Sequence, residues 1–166
     1  MAQRRSNQSA GILVYRFNND RFEVFLVHPG GPFWKNKDHH AWSIPKGEFF
    51  AAEEEALEAA KREFQEETGH KVDGRFMRLS PVNRKDGKVI YAWAIENDVN
   101  PDNLTSNTFE MEWPPKSTKI QTFPEIDQGG WFDYKTAQYK LHNYLKPLLQ
   151  ELVNRLNVPE YQLYHS

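Results

Sequence analysis

KGEFFAAEEEALEAAKREFQEETGH, Lys46 to His70, is the stretch whose reading decides the fold. Between Glu48 and Glu67 it carries eight glutamates against only Lys61 and Arg62, a local charge of −6 in a chain whose formal net charge is −2. From about Ala52 to Thr68 the pattern is helical. Ala56, Leu57, Ala60 and Phe64 recur on one side, and Gly69 is a natural stop. Glu63, Glu66 and Glu67 stand at i, i+3 and i+4, so three carboxylates share one face within a single turn. Like charges so placed repel by roughly a few tenths of a kcal/mol per pair at a surface, and by more when partly buried. Arg62 neighbours Glu58 and Glu66 by the same spacing and compensates part of this. A hard divalent cation can compensate the rest, because Mg²⁺ takes oxygen ligands and keeps several waters. For Glu53, Glu54, Glu55 and Glu58 a solvated helix face is the better reading, and the first three also suit the positive end of the helix dipole.

Outward from this helix, "SAGILVYRF" and "RFEVFLVH" read as strands joined by a turn at Asn18-Asn19-Asp20. The Gly/Pro-punctuated loop "PGGPFWKNKDHHAW" follows, then a turn at Pro45-Lys46-Gly47. "RFMRLSPV" and "KVIYAWAIE" flank Asp86-Gly87, a strong hairpin signal. In the second of these strands both alternating sets are apolar: Val89, Tyr91, Trp93 and Ile95 on one face, Ile90, Ala92 and Ala94 on the other. A strand apolar on both faces is covered on both faces, so the sheet is expected to lie between helices. "FEMEW" alternates cleanly, and "FPEIDQGGWFD" reads as a turn entering a short last strand. From Tyr134 the pattern is helical again, with Leu145, Leu148, Leu149, Leu152, Val153 and Leu156 as one stripe and Pro147 in or near the first turn. The expected organisation is a flexible arm over 1–8, one α/β domain over 9–158 and a tail over 159–166.

Composition bounds the function. At 166 residues and 39% hydrophobic content the chain can bury one proper core. The absence of cysteine removes disulfides, thiolate metal sites and Cys nucleophiles. A net charge of −2 gives no basic footprint for duplex DNA. The apolar run after MAQRRSNQSAG is too short for a signal peptide, and no window reaches the ~18 apolar residues of a membrane span. A cytoplasmic protein without membrane contact is expected, its oligomeric state open, a homodimer included.

"G…E…REFQEETG" resembles the box of the Nudix superfamily: Gly, five residues, Glu, seven residues, then Arg-Glu-apolar-x-Glu-Glu-x-Gly-apolar. Here Gly47 opens the box and Glu54 takes the first Glu position, with six residues between them instead of five. His70 stands at the final, usually apolar place. "SAGILVYR", "FLVHPGGPFW", "WSIPKGE" and "SNTFEMEWPP…FPEIDQGGWF" extend the likeness over nearly the whole chain, toward a bacterial branch of pyrophosphohydrolases acting on NTPs or dinucleoside polyphosphates. The resemblance implies an α/β/α sandwich with a mixed sheet between the box helix and a C-terminal helix. It also implies Mg²⁺-dependent (or Mn²⁺-dependent) hydrolysis of a diphosphate linkage in a nucleoside polyphosphate. Carried over, Glu63, Glu66 and Glu67 hold metal together with the Gly47 carbonyl, and Arg62 orients the carboxylates. An acid outside the box serves as last ligand or general base. Glu125 is the candidate, on the pattern of related RNA 5′-end pyrophosphohydrolases, with Glu110 and Glu112 in reserve. Lys46 is placed to meet phosphate oxygens, as the Pro-Lys-Gly of dinucleoside polyphosphate hydrolases suggests. Phe33 and Trp34 are candidates to stack a base, whereas Trp42 and Trp93 belong to the core. A dinucleoside polyphosphate is the first expectation for substrate. An NTP or oxidised NTP, an RNA 5′ end, and a silent nucleotide sensor are the alternatives.

Overall fold

A computed structural model describes residues 4–164. The outermost residues of the expected arm and tail, 1–3 and 165–166, lie outside the described residues. The elements are β1 (Gln8–Asn18), β2 (Arg21–Pro29), β3 (Lys46–Glu48), α1 (Ala56–Thr68), β4 (Met77–Arg78), β5 (Val82–Asn83), β6 (Val89–Glu96), β7 (Thr108–Glu112), β8 (Ile120–Pro124), β9 (Ile126–Asp133), α2 (Tyr134–Lys140), α3 (Lys146–Leu156) and α4 (Glu160–Leu163). A 3₁₀ turn, Asn143–Leu145, leads into α3.

The main sheet runs β4-β6-β1-β2-β9. β1 and β6 are parallel and the other pairs antiparallel, so the sheet is mixed as expected. β1 divides one of its edges between two partners. Ser9 to Gly11 pair with β3, and Tyr15 to Asn18 pair with β2. Where the partner changes, the sheet opens toward the segment Trp42–Lys46, which is stitched in by Val27 and Ser43 exchanging backbone bonds of 2.8 and 2.9 Å. Gly11 makes this junction possible, because a Cβ there would collide with Lys46 and Pro45.

Each face of the sheet carries its own core. Ala59, Ala60 and Phe64 of α1 pack on Ala10, Ile12, Val14, Phe25, Val27, Trp93 and Ile95. On the opposite face, α2 to α4 cover Leu13, Val24, Leu26, Ile90, Ala92 and Ala94. The alternation in β6 therefore sorts its two apolar sets as the sequence implied.

Several boundaries differ from expectation for local reasons. α1 begins at Ala56 rather than Ala52, because Glu55 is an extended N-cap and residues 51–54 form a turn. The C-terminal helix is split at Leu141, which is buried and bridges to Trp42 in a strand-like contact. Residues 120–124 form a strand of their own, β8, paired with β7 in a separate ribbon. Within the stretch read as a tail, α4 forms and buries Leu163 in the core. Within the stretch read as an arm, Ser6 Oγ donates to the Phe49 carbonyl at 2.6 Å, and Arg4 pairs with Glu53 at 2.8 Å.

Phe64 anchors the helix that carries the glutamates. It is fully buried, so Phe64→Ala removes its contacts and leaves a cavity that costs about 3–5 kcal/mol. Chemical denaturation should show a lower midpoint with an unchanged slope.

Candidate active site

The acidic turn is built around Arg62. Its Nε and Nη2 donate to the two oxygens of Glu54 at 2.9 and 3.0 Å, and its Nη1 donates to Glu63 at 2.9 Å and to Glu66 at 3.2 Å. The planar guanidinium fork suits this arrangement, which a lysine could not reproduce. Glu54 thus leaves the solvated class assigned to it from the sequence. It lies before the helix, in a turn that folds back onto Arg62, and the extra residue of the loop is absorbed there without breaking the pair. Glu58 pairs with Lys61 instead of Arg62. The bond to Glu54 in particular strengthens the hold of Arg62 on its proton.

Glu63 and Glu67 point inward from this hub. The Glu63 carboxylate is pressed against Gly47, where an added Cβ would overlap it. Burial raises the pKa of Glu63, and the neighbouring Glu66 adds to the effect. Glu67 keeps some solvent contact as a residue, but its carboxyl end is nearly enclosed. Burial pushes it up to about 8, against Lys46, whose charge and backbone N–H, donating at 3.2 Å, favour the anion.

Glu125 reaches the same place through the backbone. Asn107 N–H donates to the carbonyl of Glu66 at 2.8 Å, and the Asn107 carbonyl accepts from Glu125 N–H at 2.8 Å. Gly30 N–H donates to the Glu125 carbonyl at 2.9 Å. The chain is pinned on both sides, and the carboxylate is left in the cleft. Burial and then Glu66 raise its pKa. Glu110 and Glu112 are not brought in. Both lie exposed on the β7–β8 ribbon, and the carboxylate of Glu112 accepts from Lys116 N–H.

Lys46, Glu67 and Glu125 line one cleft of about 160 Å³ together with Trp34, His142 and Tyr144. Beyond Glu125 it adjoins a wider cleft of about 430 Å³ lined by Pro29 to Trp34, Phe109 and Met111. Phe33 is 61% exposed, at 5.1 Å from Trp34, with Lys37 Nζ 3.5 Å from its ring centre. The loop bearing both aromatics is tied down by Asp38, which accepts from Trp42 Nε1 and Lys140 Nζ at 2.7 Å each. His142 and Tyr144 escaped sequence reading. The break between α2 and α3 places them, stacked at 5.4 Å, beside Trp34. Burial first, then Lys46, Arg84 and His40, push the His142 pKa down to about 4, so it is neutral near pH 7.

His39 and His40 lie side by side. His40 has φ 55°, the two rings lie 3.6 Å from each other, and their Nδ1 atoms meet the carbonyls of Tyr139 and Leu141. Trp42 and Trp93 are core, as expected.

Among the described residues no three carboxylate or imidazole side chains stand close enough together to hold a metal as they are. Arg62 draws Glu63 and Glu66 to itself. The chemistry of the donors nevertheless fits a hard divalent ion: all are oxygens, and three of the carboxylates are destabilised as anions by burial.

A model of the NUDIX domain matches residues 6–152. The chain belongs to the Nudix hydrolase superfamily. A protein of Acanthamoeba polyphaga mimivirus named for mRNA decapping is 30% identical over 132 residues, covering 74% of this chain. The chain matches 31% of that protein's length. The fold is also that of the C. elegans Ap4A hydrolase, at TM-score 0.61 and 19% identity, covering 90% of this chain and 97% of that one. The Nudix domain of Shewanella oneidensis NrtR, solved with ADP-ribose, gives TM-score 0.57 and 17% identity over 90% of this chain and 87% of that one. Among the described residues no helix is long and apolar enough to cross a membrane.

The raised carboxylates set a pH dependence for this Nudix chain. A glutamate of pKa near 4.3 unfolded and about 8 folded binds more protons in the native state, so its stabilising effect is complete below pH 4.3 and is lost as pH rises to 8. In EDTA the melting temperature should fall between pH 5 and pH 8, and Glu67→Gln should flatten that fall. Added Mg²⁺ should raise the melting temperature more at pH 8 than at pH 6.

Proposed function

We propose that this protein is a Mg²⁺-dependent pyrophosphohydrolase that cleaves a diphosphate linkage in a nucleoside polyphosphate, with a dinucleoside polyphosphate as its substrate. The observation that carries this reading is the sharing of one cleft by Lys46, Glu67, Glu125 and the Trp34 ring. A cation for phosphate oxygens, acids for a metal and a flat surface for a base adjoin there. Glu63, Glu66 and Glu67, with Gly47, would hold the ion. When bound, a divalent ion neutralises charge on the bridging phosphates and makes water a better nucleophile.

The chain's own groups do the rest. Arg62 fixes the rotamers of Glu63 and Glu66 through its fork. Glu125, held by backbone alone and with its pKa raised, accepts a proton from the attacking water. Lys46 donates to a phosphate oxygen while its backbone N–H steadies Glu67. Trp34 and Phe33 receive the base. The Ap4A hydrolase likeness of the fold agrees with the dinucleotide reading. The mimivirus relative keeps a second reading in view, an RNA 5′-end substrate. The chain's net charge of −2 favours the small molecule over a long RNA.

A substrate panel with Mg²⁺ tests the proposal. Dinucleoside tetraphosphate should be cleaved faster than NTPs or capped RNA, and Glu67→Gln should lower kcat on the order of 10²–10⁴-fold. Binding without turnover by both proteins would show a sensor instead. Lys46→Ala should raise KM by roughly tenfold or more, as expected for a lost charge-assisted bond, while Mn²⁺ affinity stays within about twofold. Equal loss of both would remove the phosphate role of Lys46.

A further inference from the structure

His142 and Tyr144 wall the acidic cleft on one side, and on the other they wall an open cleft of about 590 Å³ that the reaction above does not use. The rest of this second cleft is His40, Asn143 and the hairpin joining β5 to β6, with Asn83, Arg84, Lys85 and Asp86 facing it. The hairpin is a fixed platform. Arg84 N–H donates to the Lys88 carbonyl at 2.8 Å, and Gly87, at φ 87°, returns its N–H to the Arg84 carbonyl at 3.1 Å. β6 then continues into the middle of the main sheet.

The rings make a continuous row from the acidic cleft to this hairpin. Trp34 meets His142 edge-on at 5.5 Å, His142 stacks on Tyr144 at 5.4 Å, and the Arg84 guanidinium lies 4.5 Å from the Tyr144 ring centre. A cation stands in the cleft at each end of the row, Lys46 in the acidic cleft and Arg84 in the second. The acid in the wall, Asp86, touches Arg84 at 3.3 Å with its own side chain 47% exposed. A surface pair of that kind contributes little and yields readily to a better anion. A phosphate is that anion, because guanidinium offers it two parallel donors.

We propose that this cleft is a second phosphate subsite, which takes the phosphate adjoining the far nucleoside of a dinucleoside polyphosphate. Arg84 is its principal contact, and Lys85, Asn83 and Asn143 are supporting donors. The near base sits at Trp34 and Phe33, the polyphosphate passes Lys46 and the His142–Tyr144 wall, and its far end is held by the hairpin. The subsite deepens the pyrophosphohydrolase reading and depends on it only for the position of the scissile bridge.

The test is calorimetric binding, in Mg²⁺, of a methylene-bridged dinucleoside tetraphosphate and of AMP to wild type, Arg84→Ala and Arg84→Lys. Arg84→Ala should weaken the dinucleotide about tenfold, as for one lost charge-assisted contact, and Arg84→Lys should weaken it less. AMP affinity should change less than about twofold in both. No loss with the dinucleotide overturns the subsite, and so does an equal loss for AMP. A loss seen with a 5′-triphosphorylated oligonucleotide but absent with the dinucleotide also overturns it. If wild type binds the analogue through Arg84 yet cleaves no native dinucleotide, the hydrolase reading fails and the subsite stands.

Discussion

Four carboxylates crowded into one region, of which Arg62 holds only Glu63 and Glu66, are the constraint on which this structure depends. Glu63, Glu66 and Glu67 share a helix turn, Glu125 enters from a loop, and Arg62 forks between Glu54, Glu63 and Glu66. Arg62, with Lys46 beside Glu67, cannot neutralise so many negative charges. Burial first, and this crowding after it, raises the proton affinity of Glu63, Glu67 and Glu125. In a protein with a deep apolar core on either side of its sheet, that electrostatic cost is tolerable. The same crowding is what the proposed divalent cation and diphosphate bridge would require.

The rest of the fold can be understood as a device for keeping those groups together. Phe64 and the two alanines beside it fix α1 to the sheet, so the polar face of the helix has a defined direction. β1 gives part of one edge to β3 and part to β2, and Val27, Ser43 and Ile44, at the gap between them, line the cleft. Gly11 and Gly47 are the two places where a side chain would close that gap or displace Glu63. The strap through Asn107 links the end of α1 to Glu125 by backbone bonds alone, leaving the carboxylate free for chemistry.

Much of this was legible in the sequence because it is periodic or local. The i, i+3, i+4 glutamates, the two-faced strand at Val89 to Ile95 and the Asp86-Gly87 turn each declare themselves within a short window. Glu54 was misjudged because it lies before the helix, in a turn that reverses the chain onto Arg62, eight positions away. The His142–Tyr144 wall was invisible for a similar reason. Helical periodicity runs through it, yet Leu141 leaves the helix to pair with Trp42, about a hundred residues distant in the chain. The strand β8 was overlooked because it is exposed on the ribbon and lacks the buried alternation that marks a core strand. Glu125 was put forward as the acid outside the box by family resemblance alone; nothing in its own sequence neighbourhood distinguishes it from a loop glutamate in water.

The most direct examination of the central claim is an electron paramagnetic resonance titration of the nucleotide-free protein with Mn²⁺ at pH 8. The account requires the free-ion signal to be depleted stoichiometrically by wild type and not by a protein carrying Glu63→Gln and Glu67→Gln together. Identical titration curves for the two proteins would contradict it.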